Sequence, residues 1–290
     1  GQDKLQGTGG NDMILSVFDA GATSNQNTLT AADVINGGAG KDSLMATLDA
    51  GSNGVLPAAQ YSNIENFFIR NVSGVNPVNT FNFASYSGEE QVWNDRSSSA
   101  VVVTGLAAGT TVGVKGNGAA VAGATIATYA ATATEAKIAL DGGIAATGSA
   151  AVTVNNSGAG LTSATLTSTN GTNAIGGLNL ANTVTTLTVD AQSNVATGAI
   201  TGAGLTSITV KGAGSANLSN ALGNAPLPGA VTSLNAADNA GGVTAVLNGQ
   251  TNFKFTGGAG NDVVTTGAVL VATASVDAGA GTADRLVVSS

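Results

Sequence analysis

Leu205-Thr206-Ser207-Ile208-Thr209-Val210 alternates apolar with hydroxyl side chains, and three other stretches answer it: Leu161 to Leu166, Val184 to Val189 and Val231 to Ala236. Their starts lie 23, 21 and 26 residues apart (161 to 184, 184 to 205, 205 to 231). Alternation of period two marks a strand with one buried face, because successive side chains point to opposite sides. Gly-Ala-Gly and Asn-Gly-Thr-Asn clusters between the strands supply turns, and a second short strand follows, as at Ala199-Ile200 and Val243 to Leu247. One coil per 21 to 26 residues predicts a parallel β-solenoid, in which each coil's apolar face is covered by its neighbours. A Thr/Ala/Gly-rich disordered stalk would share the composition without holding apolar residues in strand phase.

The composition agrees with thin, regular layers. Of 290 residues, 43% are hydrophobic but only 4% aromatic, so the core is built from Ala, Val, Leu and Ile. Most aromatics fall in 61–115, where Ile64, Phe67-Phe68-Ile69, Phe81, Phe83, Val92-Trp93 and Val101 to Val103 predict the best-packed stretch, with Trp93 as a core or coil-end plug. Residues 131–140 suit a strand better than a short helix. The expected organisation is 1–60, 61–160, 161–255 and 256–290, the first and last being metal-binding and the middle pair plain solenoid.

Several functions are disfavoured at once. Nine Lys and Arg stand against seventeen Asp and Glu, a formal charge of -8, so no basic stripe offers itself to nucleic acid. With neither Cys nor His, disulfides, zinc-thiolate sites, thiol catalysis and most imidazole chemistry are excluded. No apolar run approaches the length of a membrane span, and no signal-peptide layout opens the chain, so membrane insertion is not expected. The sequence begins within a motif and without Met, which suits a piece of something longer. Thirteen of the seventeen acids are Asp (3, 12, 19, 33, 42, 49, 95, 141, 190, 238, 262, 277 and 284), the short carboxylate that a hard, oxygen-seeking cation such as Ca2+ prefers.

The residues expected to hold that cation recur in one pattern, G-G-x-G-x-D-x-U-x, where U is a large apolar residue. It appears as Gly37-Gly38-Ala39-Gly40-Lys41-Asp42-Ser43-Leu44 and as Gly257-Gly258-Ala259-Gly260-Asn261-Asp262-Val263-Val264. A third copy, Gly7-Thr8-Gly9-Gly10-Asn11-Asp12-Met13-Ile14, keeps the first and fourth glycines, the Asp and the apolar anchor. A fourth, Gly279 to Leu286 with Gly281 and Asp284, carries one extra residue before its Asp and is preceded by Asp277. Half-motifs at Asp3 and Asp33 precede the copies at Gly7 and Gly37, nine residues before Asp12 and Asp42, which places each pair on opposite sides of one coil. Glycine permits tight and left-handed turns that aim carbonyls at one point, while x-U-x is a short strand anchoring the turn. Stacked turns can then assemble the six to eight oxygens that calcium accepts, and the ion is expected between Asp12 or Asp3 and the turn brought in by 30–45. A pair of metal-free glycine-rich loops is the plain alternative.

This nonapeptide is the calcium-binding repeat of RTX proteins. Around it the chain resembles the RTX-type surface-layer (S-layer) proteins of Gram-negative bacteria, the Caulobacter type among them. The resemblance rests on Gly7 to Asp12, Gly37 to Asp42, Ile64-Glu65-Asn66, Gly204 to Val210 and Phe255 to Asp262; residues 85–160 match only in style. It implies an all-β fold, a right-handed parallel β-solenoid or β-roll with calcium-binding RTX turns. It further implies type I export, folding outside the cell on calcium and self-association into a lattice. Contact with lipopolysaccharide would fall to an anchoring domain not seen in these residues.

Two other roles bear weighing. An RTX-type adhesin or biofilm-matrix protein would use the same stiffened solenoid. A polysaccharide-active β-helix enzyme would need a charged groove, for which Glu89, Glu90, Asp95, Arg96 and Trp93 are the available residues. A solvated turn explains that cluster with fewer demands, and catalysis is not expected.

Overall fold

The computed structural model describes residues 2–18, 27–76, 80–219, 225–247, 252–266 and 273–288. Every strand pairing among them is parallel, and the strands stack into a solenoid. One sheet of twelve strands runs its length, from Met13–Phe18 through Thr111–Lys115 and Ser207–Gly212 to Ser275–Asp277. The repeats that begin at Leu161, Val184, Leu205 and Val231 supply four successive strands of this sheet, Ser163–Thr169, Thr186–Ala191, Ser207–Gly212 and Ser233–Asn239. Residues 131–140 supply all but the last residue of its strand Glu135–Asp141.

The register follows the repeat spacing. Ala164 lies beside Leu187, Leu187 beside Ile208 and Ile208 beside Leu234, steps of 23, 21 and 26 residues. Inward positions therefore form continuous columns. One runs Ile14, Leu44, Phe67, Val92, Val112, Ile138, Leu166, Val189, Val210, each buried. Burying one such side chain fully is worth roughly 1.5–3 kcal/mol, so stacking rather than any single coil stabilises the rod.

The cross-section is not uniform. The first coils close with a narrow three-stranded sheet, Lys4–Gln6, Val34–Asn36 and Gln60–Ser62. Two six-stranded sheets replace it farther on, one from Phe81–Asn82 to Ala199–Thr201, the other from Asn173–Ala174 to Arg285–Val288. Between about residues 163 and 201 two successive coils each contribute to both as well as to the long sheet, which makes them three-sided. The strands Ala199–Thr201 and Val243–Leu247, which look equivalent in sequence, lie on different sheets.

The aromatic stretch packs as expected around Phe67, whose ring meets Phe83 at 5.1 Å, Tyr86 at 5.4 Å, Tyr61 at 5.8 Å and Phe81 at 6.1 Å. Trp93 corrects its assignment as a plug. Its neighbour Val92 takes the inward position, so Trp93 stands on the outer surface of the sheet, stacked on Phe68 at 6.2 Å and covering Gly113. A Cβ on Gly113 would lie 2.1 Å from the indole, and this glycine is what lets the ring lie flat and become buried.

Candidate metal-binding corners

At both ends of the stack the corner that leads into the next strand is a glycine-rich motif closing on an aspartate. The aspartates hand hydrogen bonds from coil to coil. The Asp12 N–H donates to Asp42 Oδ1 at 2.7 Å, and the Asp42 N–H to Glu65 Oε2 at 2.7 Å. At the other end the Val243 N–H donates to Asp262 Oδ1 at 2.7 Å and the Asp262 N–H to Asp284 Oδ1 at 2.8 Å. On the opposite edge of the first coils the Asp3 N–H donates to Asp33 Oδ1 at 2.9 Å. Asp12 and Asp42 are thus brought together on one edge, and Asp3 and Asp33 on the other. Asp42 and Asp33 are buried; the side chain of Asp3 is exposed.

The glycines are where these carboxylates meet main-chain carbonyls of the next coil. A Cβ on Gly7 would lie 1.8 Å from Gly37 O and 2.9 Å from Asp12 Oδ2. On Gly37 it would lie 1.9 Å from Asn63 O and 2.5 Å from Asp42 Oδ2, and on Gly257 2.2 Å from Ala278 O and 2.4 Å from Asp262 Oδ2. Gly281 is crowded in the same way by Asp284 Oδ1 at 2.3 Å and Gly260 O at 2.4 Å. Gly38 additionally has φ +102°, a left-handed conformation open to glycine, with Thr8 O 2.1 Å from its would-be Cβ. Gly40 and Gly258 are similarly closed in by Gly10 O and Asn239 O, and Gly260 by the Gly242 amide, whereas nothing approaches Gly9 within 4 Å. Gly9 is therefore not demanded by packing.

The extra residue of the fourth copy is absorbed without breaking the pattern. Gly279 and Gly281 sit 21 residues beyond Gly258 and Gly260, while Asp284 sits 22 beyond Asp262 and still accepts its N–H. Both Thr282 and Ala283 donate N–H to Asn261 Oδ1, at 3.1 and 3.0 Å, and so share the place that Lys41 alone fills against Asn11 Oδ1 at 2.8 Å. Asp277 accepts from the Gly279 N–H at 3.1 Å and braces the same corner.

The converging groups are carboxylates and carbonyls, which only accept hydrogen bonds. Asp12 Oδ2 finds donors in the Thr8 N–H and hydroxyl, at 2.6 and 2.9 Å, and Asp262 Oδ2 in the Gly258 N–H at 3.1 Å. Asp42 Oδ2 is buried and has no partner. An all-oxygen set with an uncompensated buried carboxylate fits a calcium ion, which takes six to eight oxygens at about 2.3–2.6 Å. Among the described residues no three acidic side chains converge, so main-chain carbonyls would supply much of that shell, as the glycines allow.

Burial and the neighbouring Asp284 charge push the Asp262 carboxyl above the usual carboxylate range, outweighing the N–H groups of Val243 and Gly258. Burial also acts upward on Asp33, but there the Asp3 and Thr30 N–H groups prevail and hold it below that range.

Glu65 and Asn63 do not belong to any motif copy. Register arithmetic could have found them: Leu44 pairs with Phe67, so Asp42 stands over Glu65. The charged cluster weighed for a groove is divided. Glu89 Oε1 caps the Ala107 N–H and Glu90 pairs with Lys41 at the start of the strand Gln91–Asp95, whereas Asp95 receives the guanidinium fork of Arg96, at 2.8 and 2.9 Å, at its end. A groove of about 360 Å3 on the outer face is lined by Met45, Phe68, Asp95, Arg96 and Lys115, and includes neither glutamate.

The RTX calcium-binding nonapeptide repeat (4 copies) matches residues 28–51 and 254–268. No curated protein and no solved structure matches the chain. The matched stretches contain the corners closed by Asp42 and Asp262, while those closed by Asp12 and Asp284 lie outside them and repeat their geometry. The chain is therefore a parallel β-solenoid carrying RTX repeats, a repeat type that typically binds Ca2+ and occurs in secreted proteins.

Proposed function

We propose that this solenoid is a structural component of a calcium-dependent bacterial surface layer, a two-dimensional protein lattice at the cell surface, and that calcium at the glycine-rich corners drives its folding and assembly. The observation that carries the reading is the acceptor-only corner, whose clearest member is the unpartnered Asp42 Oδ2, present at both ends of a rod with a continuous core. Where calcium is scarce, closely stacked carboxylates oppose the compact state. Outside the cell each ion that binds the folded form alone adds about 2.7 kcal/mol at 100 times its dissociation constant. Export before folding through a type I system follows naturally from such a switch.

In this reading the partners are further copies of the chain, with lipopolysaccharide engaged by a separate anchoring domain. Nucleic acid, membrane insertion and catalysis play no part. Electron microscopy of the purified chain before and after millimolar calcium tests the proposal. Sheets with a lattice repeat are expected. Dispersed rods that adhere to glycans would replace it with the adhesin role, and turnover of acidic polysaccharides with an enzymatic one.

A further inference from the structure

The corner at Asp42 differs from its two closest counterparts. In all three a carboxylate oxygen and a carbonyl oxygen of the next coil crowd the first glycine of the motif: Asp12 Oδ2 and Gly37 O at Gly7, Asp42 Oδ2 and Asn63 O at Gly37, Asp262 Oδ2 and Ala278 O at Gly257. At Asp12 and Asp262 the second residue of the motif donates its N–H to that carboxylate oxygen. At Asp42 the corresponding donor, the Gly38 N–H, goes to Asn36 Oδ1 at 3.1 Å. Asn36 Oδ1 is held there by the amide of Asn63, whose Nδ2 donates at 2.8 Å. An Asn36–Asn63 pair thus diverts the donor and leaves Asp42 Oδ2 buried and bare.

The coil beneath has none of the motif's glycines, yet it answers the corner with oxygen. Asn63 has φ +50°, a left-handed conformation that asparagine adopts more readily than other L residues with a bulky side chain. Its carbonyl faces Gly37 beside Asp42 Oδ2. Two residues on, Glu65 presents a second carboxylate, fixed against the same turn through the Asp42 N–H. A bare buried carboxylate oxygen and a carbonyl meet at Gly37, and a second carboxylate is fixed on the Asp42 N–H of the same turn, with no cationic side chain hydrogen-bonded to Asp42.

We infer that a divalent oxygen-seeking cation, calcium by its donor set, binds between the Gly37–Asp42 corner and the non-repeat turn Asn63–Glu65, with Asp42 Oδ2, the Asn63 carbonyl and the Glu65 carboxylate as protein ligands. This site rests on the calcium reading of the corners but lies outside the repeat pattern, because its floor is a turn with no repeat sequence. It extends the clamp one coil farther into the rod, toward the aromatic cluster around Phe67.

Calcium titration calorimetry on the full chain and its Glu65→Gln variant tests this, with calcium-edge anomalous scattering from crystals of the unaltered chain as the second measurement. Gln keeps an acceptor for the Asp42 N–H while removing the charge. The variant is expected to bind one ion fewer, or to bind that ion at least tenfold more weakly, with the other ions unchanged, and an anomalous peak is expected within 3 Å of Asp42 Oδ2. Unaltered stoichiometry and affinities, or anomalous peaks at Asp262 and between Asp12 and Asp42 but none toward Asn63 and Glu65, would overturn this site and leave the general calcium reading standing. Absence of any calcium heat and any peak in the unaltered chain would overturn both.

Discussion

The ends and the middle of this rod solve one problem with different side chains. At the glycine-rich corners and at several corners of the middle coils, main-chain carbonyls converge and need a positive partner. In the middle coils the partner is an asparagine amide. Asn173 Nδ2 donates toward the carbonyls of Leu140, Thr169 and Gly171, Asn239 Nδ2 toward Gly212 and Gly214, Asn94 Nδ2 toward Gly123 and Asn71 Nδ2 toward Ala100. The oxygens of Asn173 and Asn239 meanwhile accept from Gly143 and Gly242. One neutral side chain thus closes a corner from both directions. At the ends aspartate occupies the corner and offers only acceptors; on the calcium reading proposed above, the positive partner comes from solution. On that reading a one-atom exchange, amide nitrogen for carboxylate oxygen, separates self-sufficient coils from ion-dependent ones.

The largest effect should come from removing the ion. Melting with a chelator and again with millimolar calcium is expected to give transitions separated by the sum of several sites, each worth about 2.7 kcal/mol at 100-fold saturation. Hydrogen exchange should locate the loss at 3–18, 30–48, 254–266 and 273–288 rather than in the asparagine coils, and uniform deprotection would break the comparison. Next in size is a conversion of one corner type into the other. Asn173→Asp sets a carboxylate against the carbonyls that Nδ2 now serves, at about 1–3 kcal/mol for each buried acceptor left unpaired. Urea denaturation without calcium should show that loss; a variant as stable as the parent there would show that the amide donors are dispensable.

The pH dependence of Asp262 sharpens the contrast. Its carboxyl is raised in the fold, so without divalent ions its contribution is fully present below the ordinary Asp value near 3.9 and is lost as pH rises through the elevated folded value. Calcium-free chain should therefore stabilise at this end on mild acidification, Asp262→Asn should flatten that dependence, and an unchanged pH profile in the variant would refute the assignment. The smallest effect belongs to the exposed Lys41–Glu90 pair. Lys41→Ala should change stability least of these variants, by an amount that fades with salt, as exposed ion pairs do. A larger loss in a salt-independent melt would mean that Lys41 itself supplies positive charge to the Asp42 corner.

Much of this architecture was legible in the sequence. The spacing of the Leu161, Val184, Leu205 and Val231 stretches is the register of the long sheet, because parallel coils leave no freedom between repeat length and pairing. The motif located the corners for the same reason, since close approach of a carbonyl permits only glycine at Gly37 or Gly257. What stayed hidden depends on comparisons between coils. Two-residue strands such as Asn173–Ala174 are too short to show a period, so the third side was invisible. Trp93 looked like core because the small residue making room for it, Gly113, lies one coil away. Glu65 escaped for the same reason, its role being set by what stands 23 residues earlier.

The axial direction of the ladder bonds has a mechanical consequence. A load along the rod pulls on the joints between coils one after another, while the covalent chain runs crosswise and carries little of it. A coil that peels away gives up about 4.8 Å of rod. It releases its 21–26 residues as about 70–90 Å of slack. Such a rod would lengthen many-fold before any covalent bond is strained, and bound ions would hold its two ends shut while the asparagine coils between them unravel and absorb the shock.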